Sequence, residues 1–365
     1  MQLMFQVLAI LAMAVTVRCQ ESCLFDGCNC TYRSDVNKYD IICVQPSNQV
    51  ARPNYFPSRN ATTSQQRDMM DKIGNFFVSS FYFKYVPDDV FASLRIDYLQ
   101  LINNGLEKVN ELSFNGIAYL KHLIVHEPTF DSFEEKSTLH LRDHLEGLDL
   151  GDCNLDMAKM SKMLVQIRLL VKLNTLVLDF NRLSDALIDT NFMSTFQTIR
   201  RLSLKSNGIA NFNANLLAGF KSLETLDLSN NQLHDINLLI KSLNESKSSL
   251  VSLALNNNNF HNITTVIELN KLEILNLASN KIQHIAYDSF TNLLYLKVLD
   301  LSSNQLKSFD DRLLTYLIRL MQLRLNKNQL KKLPNITYVA NLRLFDVSGQ
   351  SETIELDDYA FNRIR

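Results

Sequence analysis

The residues best equipped for chemistry in this chain are histidines, acids and cysteines, and their spacing decides what they can do. His122 and His126 flank Ile124 in an alternating stretch, so an extended strand points both imidazoles to one side, with Asp149 and Asp152 on a neighbouring segment. Two imidazoles and two carboxylates are the parts of a metal site or of a pH-sensitive site. Four residues of strand, however, separate the imidazoles by roughly 13 Å, too far for one tetrahedral ion. His140 and His144 have the i, i+4 spacing of one helix face, but no third ligand accompanies them. No metal site is therefore expected. The sequence has no phosphate-binding glycine loop, no G-x-S-x-G and no Cys with a paired His in a convincing context, and its nine glycines are scattered. The expectation is a protein without catalytic residues or cofactor, and not an enzyme.

The cysteines point to a compartment. Cys23, Cys28, Cys30 and Cys43 are spaced C-x4-C-x-C-x12-C. As a disulfide framework this spacing admits three pairings, and a zinc knot is the rival reading. The apolar run Leu3 to Val17 ends in Val17-Arg18-Cys19 before polar Gln20-Glu21-Ser22, which reads as a secretory signal over residues 1–19, although Met1-Gln2 lacks the usual basic residue. The run is shorter than the about 20 residues a bilayer span asks for. A secreted, extracellular chain with no membrane span after signal cleavage is expected, and there disulfides form and persist. Cys153 stands apart from this set and reads as a small buried thiol rather than a nucleophile.

The elements that position these residues are repeats. Leu223 to Leu233 reads LETLDLSNNQL, and the same eleven-residue frame returns at Ile199, Leu250, Leu272, Leu296 and Leu320. It fits the template L-x-x-L-x-L-x-x-N/C-x-L through Leu223, Leu226, Leu228, Asn231 and Leu233. Leu226 and Leu228 alternate with Asp227, as in a strand with one apolar face, and Asn231 supplies donors and an acceptor where the chain turns inward. One such unit cannot bury its leucines, but a stack can. Template-Asn positions fall at Asn104, Pro128, Cys153, Asn181, Asn207, Asn231, Asn258, Asn280, Asn304, Asn328 and Gln350, at intervals of 22 to 28 residues. With a degenerate first unit at Ile73, Phe76 and Val78, the count is about twelve turns. Phe91, Phe114, Phe220 and Phe290 recur late in their units as a buried column would. Met157, Met160, Leu164, Ile167 and Val171 have helical spacing and read as core packing.

This pattern resembles extracellular leucine-rich repeat proteins over residues 23 to 364. The stretch FKYVPDDVFASLRIDYLQLINNGLEKVNELSFNGI is similar in style to secreted arthropod members, a group that includes the non-catalytic subunit of a shrimp luciferase, and the superfamily also holds the toll-like receptor ectodomains. The resemblance implies an α/β solenoid, a curved horseshoe with a parallel concave sheet. It implies a disulfide-bonded N-terminal cap, with Cys23 joined to Cys30 and Cys28 to Cys43. The expected organisation is a signal at 1–19, cap and linker at 20–71, and repeats at 72–365, with the stack closed by its polar last turn or, alternatively, by a partner chain on the open edge. What the resemblance implies functionally is recognition of a protein or glycan.

On such a sheet the residues between the leucines point into the concave face. The N-terminal half is richer in aromatic and histidine groups, which favours a ligand surface made of Tyr98, Ile102, His122, Ile124, His126, Asp149, Asp152, Val177, Asp179, Phe180, Arg201 and Lys205. The balance of 37 Lys+Arg against 38 Asp+Glu gives no electrostatic reason to expect nucleic acid. The expected partner is a protein ligand met in immune recognition or cell adhesion. The alternative is a non-catalytic, stabilising place in a secreted enzyme complex. Sequons at Asn60, Asn244, Asn262 and Asn335 are expected to carry glycans; Asn29, between two cysteines, is a poorer acceptor.

Overall fold

The computed structural model describes residues 17–18, 23–25, 28–45, 64–183, 197–211, 217, 219–243, 246–247, 249–351 and 353–355. Most of the signal segment, the sequons at Asn60 and Asn244, and Glu352, Leu356 and Phe361 of the final turn lie outside the described residues. The chain divides into two compact units, residues 1–173 and 174–365.

The first unit opens with antiparallel strands β1 (Val17–Arg18), β2 (Asn29–Arg33) and β3 (Lys38–Val44). Disulfides Cys23–Cys30 and Cys28–Cys43 tie them into a cap, the pairing the resemblance implied. Helix α1 (Ser64–Met70) leads into β4 (Ile73–Ser79), and from β3 onward pairing is parallel, through β5 (Arg95–Ile102), β7 (Tyr119–His126) and β9 (Gly147–Asp149). Short strands β6 (Lys108–Val109) and β8 (Ser132–Phe133) form a second, two-stranded ladder. Between the ladders Phe76, Phe91 and Phe114 are fully buried, with Phe91 and Phe114 stacked at 5.9 Å. The methionine stripe is helix α2 (Met157–Ile167), N-capped by Asp156, whose carboxylate accepts from Lys159 N at 2.9 Å. Met160, Leu164 and Ile167 are buried as core, but Val171 lies past the helix end and is exposed. His140 and His144 do not share a helix face. Leu139–Leu141 makes only a 3-10 turn, and the His144 ring packs on Tyr119 at 5.6 Å.

The second unit contributes eight parallel strands, β10 (Thr175–Val177), β11 (Arg201–Ser203), β12 (Thr225–Asp227), β13 (Ser252–Ala254), β15 (Ile274–Asn276), β17 (Val298–Asp300), β18 (Gln322–Arg324) and β19 (Leu344–Asp346). Helix α3 (Ile236–Ser242) and the two-residue strands β14 (Asn262–Ile263) and β16 (His284–Ile285) fill the returns. Leu226, Leu253, Leu275 and Leu299 pair in register, one buried row through four turns. Each such leucine contributes about 1.5–3 kcal/mol by leaving water.

Candidate functional site

The turns after the main-sheet strands of the second unit are held by a ladder of side-chain amides. Asn231 Nδ2 donates to Leu204 O of the preceding turn and Leu228 O of its own, both at 3.0 Å, while its Oδ1 accepts from Ile209 N at 3.0 Å. Asn258, Asn280, Asn304 and Asn328 repeat the arrangement, and Gln350 takes it over in the last turn, donating to Leu325 O at 2.8 Å and accepting from Leu330 N at 2.9 Å. Three or more hydrogen bonds per side chain satisfy backbone groups at the turns.

In the third turn the rung is Glu127, not Pro128 as the spacing suggested. Proline biases its predecessor to extended backbone, so this turn lacks the left-handed residue found in the others, and Glu127 reaches across instead. Its fully buried carboxylate accepts from Asn104 N at 2.7 Å and Gly105 N at 2.9 Å. Burial pushes its carboxyl above the ordinary value, and the Asn104, Gly105 and Leu106 donors pull against that rise. Cys153 fills the fourth rung, its thiol donating to Val125 O at 3.0 Å; burial pushes the thiol up to about 12. A thiol held neutral in this way is no nucleophile.

The outward residues of the first unit fall into rows fixed by strand register. Tyr98 pairs across from His122, and His122 from Gly147; Gln100, Ile124 and Asp149 make the next row, and Ile102 and His126 the third. Tyr98 and His122 stack at 4.4 Å with planes 9° apart, and Tyr98 is 40% exposed. Gly147 makes this possible, since a Cβ there would stand 2.2 Å from His122 Nδ1. His126 Nε2 lies 3.0 Å from Asp149 Oδ1, an ion pair whenever the imidazole is protonated. Sequence reading put these residues on one face and the register agrees, but it missed Gly147, whose signal is only a missing side chain.

Asp149 also has a local task, because its Oδ1 accepts from Gly151 N at 2.9 Å. Asp227, Asn276, Asp300 and Asp346 do the same two residues on, at 2.8 to 3.0 Å. The polar residues at the centre of these strands therefore cap the strand exit, as Asx turns do. The Ser348 N–H holds the Asp346 carboxyl below its usual value. Asp152 is exposed in the turn after β9, beyond the strand.

The second unit presents its own candidates. Val177 is half-buried on β10 and Arg201 exposed on β11, while Asp179, Phe180 and Lys205 occupy the turns that follow. Asp179 Oδ1 accepts from the Ser203 hydroxyl and from Lys205 N, and Lys205 Nζ sits 5.5 Å over the Phe180 ring, itself 48% exposed. Asn262 and Asn335 are exposed, and Asn335 Oδ1 accepts from Thr337 N at 3.0 Å. Among the described residues no cluster of three or more metal-ligating groups occurs, and no helix is long and apolar enough to cross a membrane.

In-register leucine rows, a ladder of asparagine rungs and a disulfide-tied cap together define a leucine-rich repeat domain. Residues 171–233, 248–306 and 270–330 match the leucine rich repeat family model. No curated protein matches the chain in sequence. Among solved structures it is similar to TLR13 from a TLR13–ssRNA13 complex, at 22% identity and TM-score 0.64 over 80% of this chain and 42% of that one, so it spans less than half of that protein. It is also similar to the leucine-rich repeat protein LIC12759 of Leptospira interrogans, at 20% identity and TM-score 0.58 over 80% of this chain and 75% of that one. The Drosophila Toll–Spatzle complex matches at 15% identity and TM-score 0.51 over 95% and 51%. These likenesses establish the fold.

Proposed function

We propose that this chain is a secreted, non-catalytic binding protein that recognises a protein partner through the outward face of the sheet in its first unit. The observation that carries the reading is the Tyr98–His122 stack beside Gly147, an aromatic pair held on neighbouring strands with Tyr98 exposed and His122 half-buried. Preorganised aromatic side chains that keep area in solvent are what binding hot spots are made of. Ile102, Ile124, His126 and Asp149 surround the pair as its rim. Phe180 with Lys205 is a second, separate contact in the second unit. Glycans at Asn262 and Asn335 complete the extracellular reading, which the cap disulfides support. An even charge balance lacks the cationic surplus that backbone-driven nucleic-acid binding uses. The neighbours solved with RNA or with Spatzle are proteins of this fold with ligands of different kinds, and an immune or adhesive setting is the one proposed here.

The test is affinity capture of partners from the native fluid with the full chain, beside Tyr98→Ala/His122→Ala and beside Gly147→Ala, whose new methyl displaces the His122 ring. Loss of one stoichiometric partner by both variants is the expected result. Equal recovery by all three forms discards the surface. Light scattering that finds the chain permanently bound to an enzyme replaces the free binding module with a stabilising subunit.

A further inference from the structure

Where the parallel strands of the first unit begin, the pairing of β3 with β4 shifts by one residue. Tyr39 pairs with Ile73 but Asp40 with Asn75, so Gly74 is inserted; Asp97 and Lys121 hold the same place in β5 and β7. Such a bulge re-aims the side chains beside it, and because β5 and β7 follow β4 in register, Gly74, Asp97 and Lys121 form one row. Above this row lies a cleft of about 420 Å³ lined by Lys38, Asp71, Arg95, Asp97, Tyr119 and Lys121. Gly74 is part of its construction. A Cβ there would meet Lys38 Cβ at 3.3 Å and Cδ at 3.7 Å, so the bare backbone lets the lysine stem cross β4 and pair with Asp97 on β5.

That pair neutralises Lys38 and Asp97 and leaves Arg95, Lys121 and Asp71. The Arg95 guanidinium lies 5.2 Å over the Tyr119 ring, and among the described residues no carboxylate stands within ion-pair distance of it. Lys121 is 3.9 Å from Glu146, a loose contact at the rim. A guanidinium over a ring face keeps its N–H edges free, the fork that grips two oxygens of one oxyanion. The volume is several times that of a bare sulfate, and the walls are polar apart from Ile73 and one tyrosine ring.

We propose that this cleft binds an oxyanion carried on a sugar, with the Arg95 fork on the anion's oxygens, Lys121 as the second charge and Tyr119 holding the fork in place. The assignment does not rest on the proposed protein-binding surface, since Tyr98 and His122 are untouched by its test. The test is calorimetric titration of the full chain at low ionic strength with glucose 6-sulfate, glucose and sodium sulfate. Glucose 6-sulfate is expected to bind roughly tenfold more tightly than either control, and Arg95→Gln to lose roughly tenfold or more while its thermal midpoint stays put. Arg95→Lys, which keeps the charge and loses the fork, should fall between. Lys121→Gln gives an independent loss if Arg95→Gln folds poorly. Wild-type affinity in both Arg95→Gln and Lys121→Gln overturns the site. Glucose binding as well as its sulfate ester overturns the oxyanion, and free sulfate matching the ester overturns the sugar carrier.

Discussion

Phe180 stands where this backbone favours a small polar residue. The position before each rung except Glu127 is left-handed, with φ between 51° and 67°, at Ser80, Asn103, Asp152, Phe180, Ser206, Asn230, Asn257, Ser279, Ser303, Lys327 and Gly349. Asparagine, serine, aspartate and glycine bear that conformation at low cost, whereas a bulky residue there is strained by about 1–2 kcal/mol. Phe180 is half in solvent, so replacing it removes little burial. Phe180→Asn is therefore expected to stabilise the protein by about 1 kcal/mol in urea unfolding, and a destabilised variant would show that the ring's packing outweighs the strain. Cys153 gives the opposite kind of residue effect. Its thiol is raised from 9.0 to about 12, so the folded state keeps the proton that the unfolded chain releases. The resulting stability is complete below pH 9 and is lost as pH rises towards 12, at up to about 1.4 kcal/mol per unit. Comparing wild type with Cys153→Ala at pH 8 and pH 10 isolates that share from the other groups titrating in alkali, and the wild-type advantage should shrink. A gap that stays constant would mean the thiol ionises without cost in the fold.

At the scale of the element, a rung couples two turns, and its removal is felt by both. Asn280→Ala deletes donors to Leu255 O and Leu277 O and the acceptor for Phe260 N, all buried. Leaving such groups unsatisfied costs about 2–4 kcal/mol in all. Gln350→Ala should cost about half as much, because its turn is half-buried and water can replace the lost partner. Equal losses at the two positions, read from chemical unfolding, would contradict the burial argument. The leucines and the asparagine rungs were legible in the sequence because repetition exposes them: Asn231 is one of a series, and even Gln350 could be placed by counting. Glu127 was not legible as a rung, since a single carboxylate beside a proline has no series to belong to. Asp149 misled in a different way. Sequence alone shows an outward acid, and only the geometry shows its oxygen accepting from Gly151 N. Gly147 and Gly74 were silent for a plainer reason, because each acts through the side chain it lacks.

At the scale of the molecule, stability in a stack is a sum of local units and their nearest-neighbour contacts, so damage at one place decays along the chain. The cap makes this measurable. Cys23–Cys30 and Cys28–Cys43 close loops with sequence separations of 7 and 15, the first tying the segment ahead of β2 to that strand and the second tying the start of β2 to β3. A loop of 15 residues is worth about 3 kcal/mol in the unfolded-chain account of disulfides. Beyond the cap, β3 hands its pairing to β4 and β4 to β5, so loss of the clamp exposes Ile41, Phe76 and Leu99 in that order. Reduction under native conditions is thus expected to speed amide exchange most in β2 and β3, less in β4 and least in β7, with β12 to β18 of the second unit unchanged. Hydrogen exchange read by mass spectrometry on oxidised and reduced protein resolves this gradient. A uniform rise across both units would show one cooperative body instead of a chain of neighbours, and would move the cap from local lid to keystone of the whole fold.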